Sequence, residues 1–170
     1  METIEVSTTV QVPPSEAYAF LRDFEGYTDY SKYIKAVTTD GAGGEGTEYE
    51  IRFGWWKLSY GVRTAVVTDS PPDEIEWRVL TDIDAHGRWE IQADDASEDA
   101  SVVSLIVTYD PDSAKRAGID IPALVSLDWV VDRVVGLIEE EGRRVVERVV
   151  ADLEGDPRRV DLQVVYRQQD

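Results

Sequence analysis

Residues 122–153 read PALVSLDWVVDRVVGLIEEEGRRVVERVVADL, and this stretch decides the fold. Leu124, Leu127, Val131, Val134, Val135, Ile138, Val145, Val149 and Leu153 recur at helical spacing and form one apolar stripe. The expected element is a single long helix from Pro122 to Leu153. Gly142 sits in the one gap of the stripe. Glycine costs about 1 kcal/mol against alanine inside a helix, so a packing reason is expected there. Either Gly142 leaves room for a ligand, or it lets the helix approach its neighbour closely.

Upstream of the helix the period changes from helical to alternating. Ile4 to Val12 places Ile4, Val6, Thr8, Val10 and Val12 against polar neighbours, the pattern of a half-buried strand. Pro13-Pro14 ends it. Ser15 is the expected cap of a short helix, Glu16 to Asp23, with Ala17, Phe20, Leu21 and Phe24 on its apolar face. Gly26 breaks that helix, and Tyr27 to Ile34 reads as a second short helix or turn.

Six strands are then expected: Lys35–Thr39, Thr47–Phe53, Leu58–Asp69, Glu74–Thr81, Ala85–Ala93 and Val102–Tyr109. Turn signals separate them, among them Asp40-Gly41-Ala42-Gly43-Gly44 and Ser70-Pro71-Pro72-Asp73, as in consecutive hairpins. Asp110 to Ile121 reads as a loop. Strands followed by one late helix predict an α+β domain, a curved antiparallel sheet covered on one face. One helix leaves space on the concave side of such a sheet, and a cavity for an apolar small molecule is the expected use of it. After Gly155 the tail alternates again at Val160, Leu162, Val164 and Tyr166, as an added edge strand would.

Composition narrows the function classes. The chain has 170 residues, 42% of them hydrophobic, and no cysteine. One domain with a real core is expected, without disulfides or thiolate metal sites. No segment reaches the roughly 18 apolar residues of a membrane span. The start of the chain lacks the basic and apolar regions of a secretion signal. A soluble, cytoplasmic protein without stable membrane insertion is the expectation. The net charge is −18, and the carboxylates are dispersed over nearly every turn and helix. Lys32, Lys35, Lys57 and Lys115 are the lysines, and the other cations are arginines. Such a surface resembles proteins that work in molar salt, where charge repulsion is screened. An acidic surface built for a basic partner would be clustered instead. There is no basic stripe to hold phosphates, so nucleic acid is not an expected partner.

The order strand, two short helices, six strands and long final helix is the helix-grip arrangement. Val12-Pro13-Pro14-Ser15-Glu16-Ala17-Tyr18-Ala19-Phe20-Leu21-Arg22-Asp23 looks like the opening of the polyketide cyclase/dehydrase and lipid-transport families. Thr68-Asp69-Ser70-Pro71-Pro72-Asp73-Glu74-Ile75-Glu76-Trp77 and Gly87-Arg88-Trp89-Glu90-Ile91 stand in the matching places. Met1 to Leu153 thus resembles the SRPBCC superfamily, which includes START lipid-transfer domains and coenzyme-Q-binding proteins. A helix-grip domain over residues 1–154 and an extension over 155–170 follow from that resemblance. It implies a deep hydrophobic cavity between sheet and helix, and does not imply a reaction.

The residues expected to line that cavity are aromatic or branched. Tyr49, Phe53, Tyr60 and Tyr109 share a sheet face with Trp77 and Trp89. Trp129, Val131 and Val135 answer them from the helix. Aromatics give a flat or isoprenoid ligand large contact area, although any one of them is equally at home in a core. Trp55 and Trp56, directly after Phe53-Gly54, are expected either to form a lip that gates the cavity or touches a membrane surface, or to cover the sheet edge or a homodimer contact. His86 is the only histidine, and it and Arg88 are the candidates for acid–base or oxyanion chemistry. By alternation Arg63, Arg78 and Arg88 face outward. The acidic turns at Asp82-Ile83-Asp84 and Asp110-Pro111-Asp112 lack a full calcium-loop series. No cofactor and no metal site is expected.

Three functions remain: binding of a lipid, quinone or polycyclic aromatic, cyclase or dehydratase chemistry on a polyketide-like substrate, and partner binding through the C-terminal strand.

Overall fold

The computed structural model describes residues 1–55, 57–81, 83–116 and 127–168, excepting the side chains at 55, 58, 114, 115 and 127–139. Strands β1 (Glu2–Val10), β2 (Ile34–Asp40), β3 (Glu48–Trp55), β4 (Leu58–Ser70), β5 (Glu74–Val79), β6 (Ala85–Asp94), β7 (Ser97–Tyr109) and β8 (Gln163–Gln168) form one sheet. Their order is β2-β3-β4-β5-β6-β7-β1-β8, and every neighbouring pair is antiparallel. Consecutive hairpins build β2 to β7, and β1 closes onto β7 from the far end of the sequence. Among the described residues the helices are α1 (Pro14–Arg22), α2 (Pro111–Arg116) and α3 (Leu127–Glu154), with a 3-10 turn at Phe24–Asp29. This is the helix-grip fold: a curved antiparallel sheet with a long C-terminal helix and a few short ones.

Register puts the alternating residues on common faces. Ile75 pairs with Trp89, Trp89 with Leu105, and Leu105 with Val6, so these side chains share the concave face. Tyr49 pairs with Thr64 and Phe53 with Tyr60, which brings the far hairpin onto the same face. The core sits under the C-terminal half of α3, where Val150 is fully buried and Ile75 and Ile91 are each 1% exposed. Phe24 meets Tyr49 edge-on at 4.7 Å and fixes the 3-10 turn to β3.

Several boundaries differ from the sequence reading for local reasons. Ser15 does not cap α1. The cap is Pro13, with Pro14 in the first turn, where its missing N–H costs nothing. The second short helix comes three residues early, at Phe24–Asp29, because Asp23 accepts from the Gly26 N–H and opens the turn there. β7 begins at Ser97, so the acidic turn before it is tighter than Asp94–Asp99. The loop after Asp110 contains α2. The tail pairs with β1 over Gln163–Gln168, with Val164 opposite Val6.

Candidate functional site

A cavity of about 670 Å³ lies between the sheet, α1 with its 3-10 turn, and the C-terminal half of α3. Each wall follows from a local pattern. β1, β6 and β7 supply Val6, Val10, Trp89, Val103 and Leu105 by strand alternation. α1 supplies Ala17, Phe20 and Leu21, and the segment after it supplies Tyr27, Tyr30 and Tyr33. α3 supplies Val145, Val146, Val149, Val150 and Leu153, two adjacent rows of one helix face. Leu162, beyond the helix, closes one side.

Phe53 and Trp89 are the expected wall residues that the cavity brings together. Tyr49 is 5% exposed and belongs to the core against Phe24. Tyr60, Trp77 and Tyr109 share the concave face but do not stand among the described wall residues. Trp77 lies across Gly87: a Cβ added to that glycine would fall 2.5 Å from Trp77 Cζ2. Tyr109 donates to the Glu2 carboxylate at 2.8 Å. Burial, and then that bond, push its phenol up to about 12. Trp56 and the side chains of Trp55, Trp129, Val131 and Val135 lie outside the described residues.

The structure places the two candidates for chemistry, His86 and Arg88, on the outer face of the sheet. His86 pairs with Arg78 and Thr108 on the outer face and is exposed. Arg88, on the same face, binds Glu90. Alternation with the inward Trp89 keeps both away from the cavity. The carboxylate among the described wall residues is instead Glu141, 5% exposed, which the helical stripe alone does not reveal. It would have been visible as an acidic residue beside Gly142 on the inward face of α3.

Gly142 also lines the cavity, and an added Cβ there meets no described atom within 4 Å. Of the two readings of this glycine, close approach to the sheet is excluded among the described residues, and open space remains. Tyr30 frames the same end of the cavity. Its hydroxyl donates to Asp152 at 2.8 Å, and its carbonyl accepts from Arg148 at 2.7 Å. Burial, and then Asp152, push the Tyr30 phenol up to about 12. Burial raises the Tyr27 phenol well above its ordinary value, and its hydroxyl donates to the Leu21 carbonyl. Among the described residues no His, Cys, Asp or Glu cluster fit to hold a metal ion occurs, and no helix is long and apolar enough to cross a membrane.

Solved structures share this architecture. A START superfamily protein from Mycobacterium smegmatis superposes with a TM-score of 0.64 at 15% identity, over 90% of this chain and 99% of that one. An aromatase/cyclase from a Streptomyces species gives 0.64 at 15% identity, over 91% and 94%. A Thermus thermophilus protein gives 0.64 at 15% identity, over 90% and 97%. At these identities the likeness establishes the fold. No curated protein matches the sequence. The family model described as polyketide cyclase / dehydrase and lipid transport matches residues 1–150. With a matching family model over that span and a helix-grip fold around an apolar cavity, the chain belongs to the polyketide cyclase/dehydrase and lipid-transport family.

Proposed function

We propose that this protein binds a hydrophobic small molecule, of the lipid, quinone or polycyclic aromatic class, and carries or sequesters it in the cavity under α3. The observation that carries this reading is a wall of valines, leucines and aromatic rings around about 670 Å³, well within the size of small-molecule sites. Each apolar ligand group of side-chain size buried there contributes about 1.5–3 kcal/mol, so micromolar affinity needs no charged anchor. Membership of a family described by both cyclisation and lipid transport supports the same class of ligand. The dispersed acidic surface supports work in a salt-rich cytoplasm.

A cyclase reading is favoured by the family description and by the aromatase/cyclase neighbour. It requires groups other than His86 and Arg88, which point away from the cavity.

The test is mass spectrometry of solvent extracts from protein purified in molar salt, wild type beside Gly142→Phe. The phenylalanine grows into the open space at the wall. A hydrophobic molecule that accompanies the wild type and is lost from the folded variant is the expected result. Clean extracts from both proteins would count against carriage and shift weight to a transiently occupied enzyme site.

A further inference from the structure

We infer that β8 is a docking edge for a second copy of this chain, the two strands running antiparallel about a two-fold axis at Val165. The sheet has two edge strands, β2 and β8. An edge strand offers a row of unpaired N–H and C=O groups, and proteins guard such edges with bulges, prolines and charged side chains, lysine above all. β2 is guarded in this way. A register shift between Ile34 and Ala36 breaks its ladder, Lys35 stands exposed in that irregularity, and an exposed Asp40 ends the strand. β8 lacks these devices. It pairs with β1 without a shift from Ser7 opposite Gln163 to Glu2 opposite Gln168, and it holds no proline and no lysine.

Charge and apolar surface select the occupant. Among the described residues β8 is the one strand without Asp or Glu, in a chain of net charge −18. Its single cation, Arg167, is met within the chain by Glu5 at 3.1 Å. A second copy of so acidic a chain therefore meets little repulsion from this strand. Six large hydrophobic residues are exposed among the described ones, and three of them gather at this edge: Met1 beside Glu2, Val165 at 41% and Tyr166 at 44%. The strand also fits itself. Gln163, Val165 and Arg167 lie on the outer face, and Val164 and Tyr166 on the concave face opposite Val6 and Ile4. Opposite residues of an antiparallel pair share a face. With Val165 facing its counterpart, Val164 meets the second copy's tyrosine and Gln163 meets its arginine. Apolar groups then meet on both faces, and no charge meets its like. An axis at Tyr166 would instead set Val165 against a guanidinium. So short a strand makes a small interface, so the dimer is reversible rather than obligate.

The test is sedimentation velocity of the full chain, in a concentration series reaching the millimolar range and a potassium chloride series reaching molar strength. Wild type is expected to show a monomer–dimer equilibrium that strengthens with salt, as the repulsion between two acidic chains is screened. Val165→Lys takes the net charge from −18 to −17, which by overall charge favours association. At the axis it replaces an apolar contact by two facing ammoniums, so the dissociation constant is expected to rise about tenfold. The chain has no cysteine, so single-cysteine variants read the register. Under mild oxidation Val165→Cys should link two copies well before Val67→Cys does, although Val67, on β4, is 44% exposed. A wild type that stays monomeric throughout both series overturns the inference. So does a dimer that Val165→Lys leaves unchanged or tightens, or cross-linking of Val67→Cys as fast as that of Val165→Cys.

Discussion

Two glycines show how much one methyl group means in this molecule. At Gly87 an added Cβ would fall 2.5 Å from Trp77 Cζ2 and 2.7 Å from the Ile106 carbonyl oxygen. Backbone cannot give way there, so Gly87→Ala is an overpacking change, expected to cost about 1–3 kcal/mol. At Gly142 the methyl meets no described atom within 4 Å, on a helix interior where alanine is favoured by about 1 kcal/mol. Gly142→Ala should therefore raise the melting temperature while Gly87→Ala lowers it. Thermal melts of the two variants read both signs, and a destabilised Gly142→Ala would mean that the space beside α3 is not open. Tyr30 gives a pH-dependent counterpart. Its folded value of about 12 lies above the ordinary 10.0, so folding favours the protonated phenol. That contribution is complete below about pH 10 and is lost as pH rises through the folded value. Ultraviolet titration of the tyrosinate band should show one late-ionising group fewer in Tyr30→Phe. A Tyr30 ionising at pH 10 would contradict the Asp152 bond.

At the scale of elements, the segment after α3 belongs to the cavity as much as the helix does. Val160 is 3% exposed in the core, and Leu162 stands in the cavity wall. Arg158 ties the segment down, donating to Glu154 at 2.7 Å and to the Thr9 carbonyl at 3.0 Å. Truncation after Gly155 should cost about 1.5–3 kcal/mol for Val160 alone and weaken binding of an apolar fluorescent probe such as anthracene. Unchanged melting and binding in the truncated chain would make the tail a mere appendage. Legibility in the sequence follows the same division. Strand order and face were readable because alternation has a period of two and turns rich in glycine, proline or aspartate separate the runs. Alternation assigns a face without saying what covers each part of it. Trp77 and Tyr109 thus share Trp89's face, yet one covers a glycine and the other binds Glu2. The walls from Phe20 to Tyr33 required knowing where α1 folds back, and no periodic signal carries that. Glu141 stands beside Gly142 at the gap of the stripe, yet an acid beside valines normally faces solvent, so that signal carries little weight by itself.

At the scale of the whole molecule, charge is the term that the fold does not settle locally. The outer face carries ion pairs such as Arg63 with Glu48, between β4 and β3, and Arg88 with Glu90, along β6, half in solvent and individually worth little. These pairs leave a net −18 uncompensated. The compact state holds that charge closer together than the unfolded chain does, so repulsion opposes folding at low salt. In molar potassium chloride the Debye length shrinks to about 3 Å and the opposition fades. Each kcal/mol so relieved raises Tm by about 2–4 °C for a chain of this size. Salting-out of apolar surface would act in the same direction, and a charge-removal variant separates the two causes. Asp95, in the β6–β7 turn, and Glu98 and Asp99, at the start of β7, are exposed, and their conversion to amides takes the charge from −18 to −15. If repulsion governs, the triple variant melts above wild type at low salt and alongside it in molar chloride. Melting curves that rise in parallel with salt would assign the effect to burial, and the acidic surface would then serve solubility alone.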